Sequence, residues 1–174
     1  LHSNIKQFIM ILSLDISTSM IGVAIDAPKL IYYSFNTKKI KKETSTDSTF
    51  NSYYRIAEEL IKTIPDVNIE TIIIEEPLLN SSNRSTVNKL IIINTIISSL
   101  LRAKYNKPII HQNVNRVRSW ILKDDPNKEL DVKTRTINVI NDIYKIQLTK
   151  KDNDAADAIM HLHYFKINNN ATTE

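Results

Sequence analysis

A single glycine, Gly22, stands in a chain of 174 residues, where ordinary usage would supply about twelve. Nucleotide-binding loops that need several glycines to bring backbone against phosphate are thereby excluded, both the Walker type and the Rossmann fingerprint. Cysteine is absent, so neither a disulfide framework nor a thiolate zinc site is available. Long apolar runs are absent as well. The run Leu90 to Ile93 lies in a stretch to Leu101 that is broken by Asn94, Thr95, Ser98 and Ser99, and the unbroken run Phe8 to Leu12 is no longer than five residues, short of the ~18 residues a membrane span needs. No N-terminal signal pattern is present, and an opening on Leu1 with no initiator Met implies a processed end.

What remains is 42% hydrophobic and 24% charged, a globular balance that argues against disorder over most of the length. One domain over residues 5–167 is expected, with a disordered tail over 168–174. The formal charge of +4 permits nucleic-acid binding without requiring it.

Apolar and β-branched runs at Phe8–Asp15, Ile21–Ile25 and Leu30–Phe35 read as three consecutive strands, an antiparallel meander. A Lys-, Thr- and Ser-rich connection from Thr37 to Thr49 reads as an exposed loop. Helical spacing then runs from Phe50 to Ile64 and is stopped by Pro65. Thr71–Ile74 is too short for a helix and apolar on both faces, as a central strand covered on both sides must be. A helix over Ser85–Tyr105, a strand over Pro108–Gln112, helices over Asn115–Leu122 and Val132–Ile146, and a last helix from Thr149 or Asp152 to Phe165 complete the pattern. Strands in a meander followed by strands alternating with helices define an α/β domain with a mixed sheet. Trp120 reads as a core residue.

Asp15 and Glu75 each end a buried-looking strand, a costly place for a charge unless something pairs with it. Asp154 and Asp157, three apart at the head of the last helix, put two carboxylates on one face. The flanking Ala155, Ala156 and Ala158 supply no cation and little bulk, so this face can lie close against the strand ends. Four oxygen ligands suit a hard ion such as Mg²⁺ or Mn²⁺. The competing role for Asp154 is a first-turn acid favoured by the helix dipole. Glu76 and Asp152 are second choices, Glu76 because it points away from Glu75 along a strand and Asp152 because it fits a cap. His161 shares the face of Asp157, and His111 ends a strand. Each is weighed as a fifth ligand or proton carrier against an ordinary structural histidine.

LSLDISTSMIGVAI from Leu12, IIIEEP from Ile72 and DAADAIMHLH from Asp154 resemble, in order and separation, the three acidic motifs of RuvC-type Holliday junction resolvases, members of the ribonuclease H-like superfamily. The resemblance spans about residues 9–165, and DAAD is its most specific part. It implies a five-stranded mixed sheet of order 3-2-1-4-5 with helices on both faces. It also implies that Asp15, Glu75, Asp154 and Asp157 hold two Mg²⁺ ions about 4 Å apart, Mn²⁺ being a substitute, and that Lys133 joins the catalytic set. The implied reaction is hydrolysis of four-way or other branched DNA to 5′-phosphate and 3′-hydroxyl ends. A cytoplasmic, DNA-associated protein is implied, of a phage or viral type because Ile16-Ser17 replaces the usual Pro-Gly-like pair.

An aromatic wedge usually follows the Glu motif, and Leu78 stands in that place; leucine can still wedge between bases. Arg118 and Lys133 fall where the family has basic residues beside the scissile phosphate. Arg116, Lys123 and Arg135 cluster nearby and divide between phosphate contact and a solvated helix face. Asn83, Arg84 and Ser85 open a helix whose free amides can hold a phosphate. The apolar residues of helix 85–105 cover more than one face, and the family pairs through the corresponding helix, so a homodimer is expected. Three rivals stand beside this reading. A RuvX/YqgF-type nuclease is suggested by Met20–Ala24 but lacks the paired aspartates. A sugar-kinase or actin-like ATPase needs two lobes and more glycine. A non-catalytic branched-DNA binding protein has no need of four acids.

Overall fold

The computed structural model describes residues 10–44, 46–77 and 83–170, with no side-chain description at 170. Five strands form one sheet: β1 (Met10–Ile16), β2 (Met20–Asp26), β3 (Ile31–Asn36), β4 (Ile69–Glu75) and β5 (Ile109–Gln112). Their order is β3-β2-β1-β4-β5. The first three strands are the expected antiparallel meander, while β4 and β5 run parallel to β1. The hairpin between β1 and β2 is closed by Ser17, whose Oγ donates to the Met20 carbonyl at 2.7 Å and accepts from the Met20 amide at 3.1 Å.

Alternation along the strands divides the core in two. Leu12, Leu14, Ile21, Val23, Ile25, Ile72 and Ile74 face α2 (Thr49–Thr63) and α3 (Arg84–Tyr105). Ile11, Ala24 and Ile73 face α4 (Val114–Ile121), α5 (Val132–Tyr144) and α6 (Asn153–Asn170). Ile72, Ile73 and Ile74 are all fully buried, so the run too apolar for a one-sided strand is a central strand with helices on both faces. By the same alternation Asp15 and Glu75 project to the α6 face, in step with Ile11 and Ile73.

Capping residues set the helix starts. Ser48, Asn83, Asn113 and Asp131 each accept from backbone amides of the turn they open. Before α6, Thr149 and Asp152 form a capping box around a short 3₁₀ turn, Lys150–Asp152, so Asp152 fills the capping role anticipated for it.

Three expectations need correction. The segment Thr37–Thr49 is not simply an exposed loop, because it contains a short helix, α1 (Lys38–Glu43), flanked by buried Thr37 and Thr44. Thr37 donates to the Thr18 carbonyl at 3.0 Å, and the Lys41 ammonium bonds the same oxygen. These are tertiary contacts that hold a polar segment with almost no apolar periodicity of its own. The last helix continues past Phe165 to Asn170 and takes in part of the expected tail. Lys166 pairs with Asp26 of β2 at 2.8 Å, and Asn168 and Asn169 bond the carbonyls of Tyr164 and Phe165. Residues 171–174 lie outside the described residues. Trp120 is half-buried, not fully core: Tyr164 meets its ring edge-on at 5.4 Å between centroids, and the Lys123 ammonium lies 5.8 Å from the ring centre.

Candidate active site

Three elements converge on the α6 face of the sheet: the C-terminal ends of β1 and β4, and the first turns of α6. They bring Asp15, Glu75, Asp154 and Asp157 together, and each of the other three acids pushes up the carboxyl of Asp15. Burial is the largest cause, the three neighbouring acids add to it, and only Arg118 opposes it, so Asp15 lies well above the usual carboxylate range. Asp157, itself buried, is also raised. Burial dominates there, and Glu75 adds to it against the relief supplied by Arg118.

Close approach of α6 depends on the one glycine. Gly22 is the register partner of Asp15 on β2, and a Cβ built on it would stand 1.9 Å from the Asp154 carbonyl oxygen and 2.3 Å from its carbon. No side chain fits between β2 and the start of this helix. Buried Ala155, Ala156 and Ala158 continue the close packing, as their lack of bulk suggested.

The carboxylates differ in what already holds them. Asp157 Oδ2 accepts from Arg118 Nη2 at 2.9 Å and from Asn153 Nδ2 at 3.3 Å. Glu75 Oε2 meets His161 Nε2 at 3.1 Å. Asp157 Oδ1, Glu75 Oε1 and the carboxylates of Asp15 and Asp154 accept no side-chain hydrogen bond among the described residues. These free oxygens, with one guanidinium beside them, have the chemistry of the donor set a hard divalent cation takes. Among the described residues no group of three or more acids or histidines is placed to hold a metal ion as it stands.

The remaining predicted residues fall into distinct places. Arg118 lies on α4 against Asp157, its Nε buried without a hydrogen-bond partner. Lys133, in the first turn of α5, is exposed and makes no ion pair among the described residues. Arg135 is tied into the fold, its Nε on Asp125 at 2.5 Å and its Nη2 on the Leu122 carbonyl at 3.4 Å. Arg116 and Lys123 are exposed on and just after α4. Asn83 caps α3, with Arg84 exposed behind it. Leu78 lies outside the described residues. Glu76 turns away, as expected, and accepts from Asn113 at 3.2 Å. His111 is exposed.

Sequence reasoning missed Gln112, Asn153 and the placement of Gly22. A signal existed for Gln112: it is the polar end of a strand whose neighbour ends in Glu75, and the two are register partners. His161 was weighed as a ligand or proton carrier, whereas its Nε2 lies on Glu75 and its Nδ1 on Gln112 Oε1 at 2.9 Å.

This architecture is the ribonuclease H-like fold, a mixed five-stranded sheet of order 3-2-1-4-5 with helices on both faces. Within it the similarity is to resolvases of the RuvC type. Thermus thermophilus RuvC in complex with a Holliday junction substrate matches with a TM-score of 0.65 and 12% identity over 92% of this chain and 96% of that one. A second Thermus thermophilus RuvC structure matches with a TM-score of 0.64 and 12% identity, covering 92% and 97% of the two chains. The yeast mitochondrial Holliday junction resolvase Ydc2 follows with a TM-score of 0.58 and 12% identity, over 87% of this chain and 75% of that one. No family model matches the sequence, and no curated protein matches it. Among the described residues no helix is long and apolar enough to cross a membrane.

Proposed function

We propose that the protein is a Mg²⁺-dependent endonuclease that cuts four-way or other branched DNA. The observation that carries this reading is the convergence of four carboxylates from β1, β4 and α6 on one side of a RuvC-like sheet, three of them raising the fourth. A cluster that so penalises its own charge is a poor structural device and a good cation site. Asp15, central to it, would hold the ions together with Glu75, Asp154 and Asp157. Bound Mg²⁺, or Mn²⁺ in its place, would supply an activated water and a charge sink for the leaving 3′ oxygen, giving 5′-phosphate and 3′-hydroxyl products.

The protein's own part is positioning. Arg118 holds one oxygen of Asp157 and leaves the other free, and the part of its side chain that stays exposed, 25%, could meet a phosphate oxygen beside the acids. Exposed Lys133, Arg116, Lys123 and Arg84 are placed to contact flanking phosphates, which orient a duplex without reading its sequence. Arg135, already spent on Asp125, contributes by fixing the turn between α4 and α5.

A homodimer through α3 completes the proposal. Ile91 is 41% exposed, and Leu90, Ile92 and Leu100 pack against the core while keeping part of their surface exposed. Buried Asn94 on the same helix leaves both its amide nitrogen and its oxygen without a partner. Two copies would present two sites to the two strands of a symmetric junction. A fluorescently labelled four-way junction titrated with Mg²⁺ tests the function: paired nicks that appear only with metal support it. Junction binding with no cleavage at any metal concentration would replace it with a branched-DNA binding protein.

A further inference from the structure

The side chain of His161 is completely buried, yet both ring nitrogens meet polar groups from two different strands. It lies one turn beyond Asp157 on α6, on the face turned to the sheet. Nε2 meets Glu75 Oε2 at 3.1 Å and Nδ1 meets Gln112 Oε1 at 2.9 Å. Glu75 and Gln112 are themselves register partners at the ends of β4 and β5, so the imidazole closes a ring of contacts across two strand ends and one helix.

We propose that Gln112 and His161 form a buried positioning relay that fixes the Glu75 carboxylate and leaves Oε1 as its free oxygen. A bare Nε2 against a carboxylate would put two acceptors in contact, so Nε2 carries its hydrogen and donates to Oε2. Gln112, whose amide can turn either end toward Nδ1, holds the ring against rotation. Oε1 accepts no hydrogen bond among the described residues. Two other roles for His161 fail on the same geometry. It is not a free ligand, because Nε2 is spent on Glu75. It is not a proton carrier to solvent, because the ring has no exposed surface. The order it imposes matters because Glu75 ends a strand, where neighbouring main chain no longer constrains the side chain.

The consequence for metal rests on the proposed function, since partners that orient a ligand carboxylate typically change metal affinity by about 10–100-fold. The test is Mn²⁺ binding to chelator-stripped protein, followed by electron paramagnetic resonance, with junction cleavage measured in parallel. His161→Phe keeps a ring of similar size and removes both hydrogen bonds; His161→Gln restores a donor near the position of Nε2. The relay requires His161→Phe to weaken Mn²⁺ binding about tenfold or more and His161→Gln to recover most of that loss. Gln112→Leu should give a smaller loss, and the double variant should be no worse than His161→Phe alone, because Gln112 acts through the ring. A folded His161→Phe with wild-type Mn²⁺ affinity overturns the relay, as does a Gln112→Leu loss that simply adds to it. Should His161→Phe fail to fold, unchanged Mn²⁺ affinity in Gln112→Leu is the overturning result. Asp15→Asn separates the two levels of argument. Binding lost in Asp15→Asn but intact in His161→Phe sinks the relay alone, whereas a wild type that binds no Mn²⁺ sinks the metal reading and the relay with it.

Discussion

Gly22 on β2 and Asp154 at the head of α6 are in backbone contact: a Cβ on the glycine would lie 1.9 Å from the Asp154 carbonyl oxygen. The obstacle is main chain, which cannot rotate aside, so relief requires α6 to lift off the sheet. Gly22→Ala is therefore expected to destabilise the fold by about 1–3 kcal/mol, the range for overpacking. It should also reduce cleavage by more than the loss of folded protein accounts for, because the displaced turn carries two of the four acids. Melting curves and single-turnover rates on the same preparation check this. An unchanged melting temperature with wild-type cleavage would mean that α6 has slack the packing does not show.

Much of this arrangement was legible in the sequence, for identifiable reasons. Unbroken β-branched runs such as Ile72–Ile74 carry a period and a length, and those two properties are enough to place a central strand. Asp15 and Glu75 stand out as charges at the ends of apolar runs, and Asp154 and Asp157 as two acids three apart among alanines. Helix α1 was not visible, since Thr37 and Lys41 are held by hydrogen bonds to Thr18, about twenty residues earlier in the chain. Gly22 could be counted but not placed, because its meaning is a contact between β2 and α6 that only the fold creates. The Gln112–His161–Glu75 contacts likewise join residues 49 and 86 positions apart in the sequence, beyond the reach of periodicity.

Arg118 and Lys133 were paired by their positions in sequence, and the structure separates them. Arg118 donates to a carboxylate whose side chain is 4% exposed, so Arg118→Ala should leave Asp157 uncompensated and cost about 1–3 kcal/mol of stability without metal. Lys133 is exposed and unpaired among the described residues, so Lys133→Ala should stay within about 0.5 kcal/mol of wild type. Both should slow cleavage more than junction binding. Equal stability losses in chemical denaturation would contradict the separation.

The raised carboxyls of Asp15 and Asp157 make the metal-free protein sensitive to pH in a defined direction. A carboxylic acid whose folded value lies above its unfolded one destabilises the fold where both states are ionised. That penalty is removed as pH falls through the folded value. Metal-free protein should thus gain melting temperature on acidification from neutral pH toward the ordinary carboxylate range. At lower pH it should lose it again, because Asp131, held down to about 2 by its bonds to Thr134, contributes stability that disappears below the ordinary carboxylate range. Asp15→Asn should flatten the first limb and melt a few degrees higher than wild type in chelator. Mg²⁺ should raise the wild type more than the variant. A wild type whose melting temperature only falls from pH 7 downward would argue against a crowded site.

The proposed pairing through α3, centred on exposed Ile91 and the partly exposed Leu90, Ile92 and Leu100, predicts a dimer in solution. Sedimentation at micromolar concentration should show two copies, and Ile91→Asp should shift the population toward monomer while leaving the monomer's melting temperature nearly unchanged, since Ile91 is 41% exposed. A monomeric wild type would remove the dimer from the proposal.

The central claim, that the acids around Asp15 hold metal for cutting branched DNA, is tested most directly by Asp15→Asn on a labelled four-way junction, with binding and Mg²⁺-dependent cleavage measured on the same substrate. Because the phosphate contacts are proposed to come from cations elsewhere on the surface, junction binding should stay within about threefold of wild type, a change of under 1 kcal/mol. Cleavage should fall below detection. Cleavage near the wild-type rate in Mg²⁺ would contradict the account, because the residue that all the other acids crowd would then have no part in the reaction.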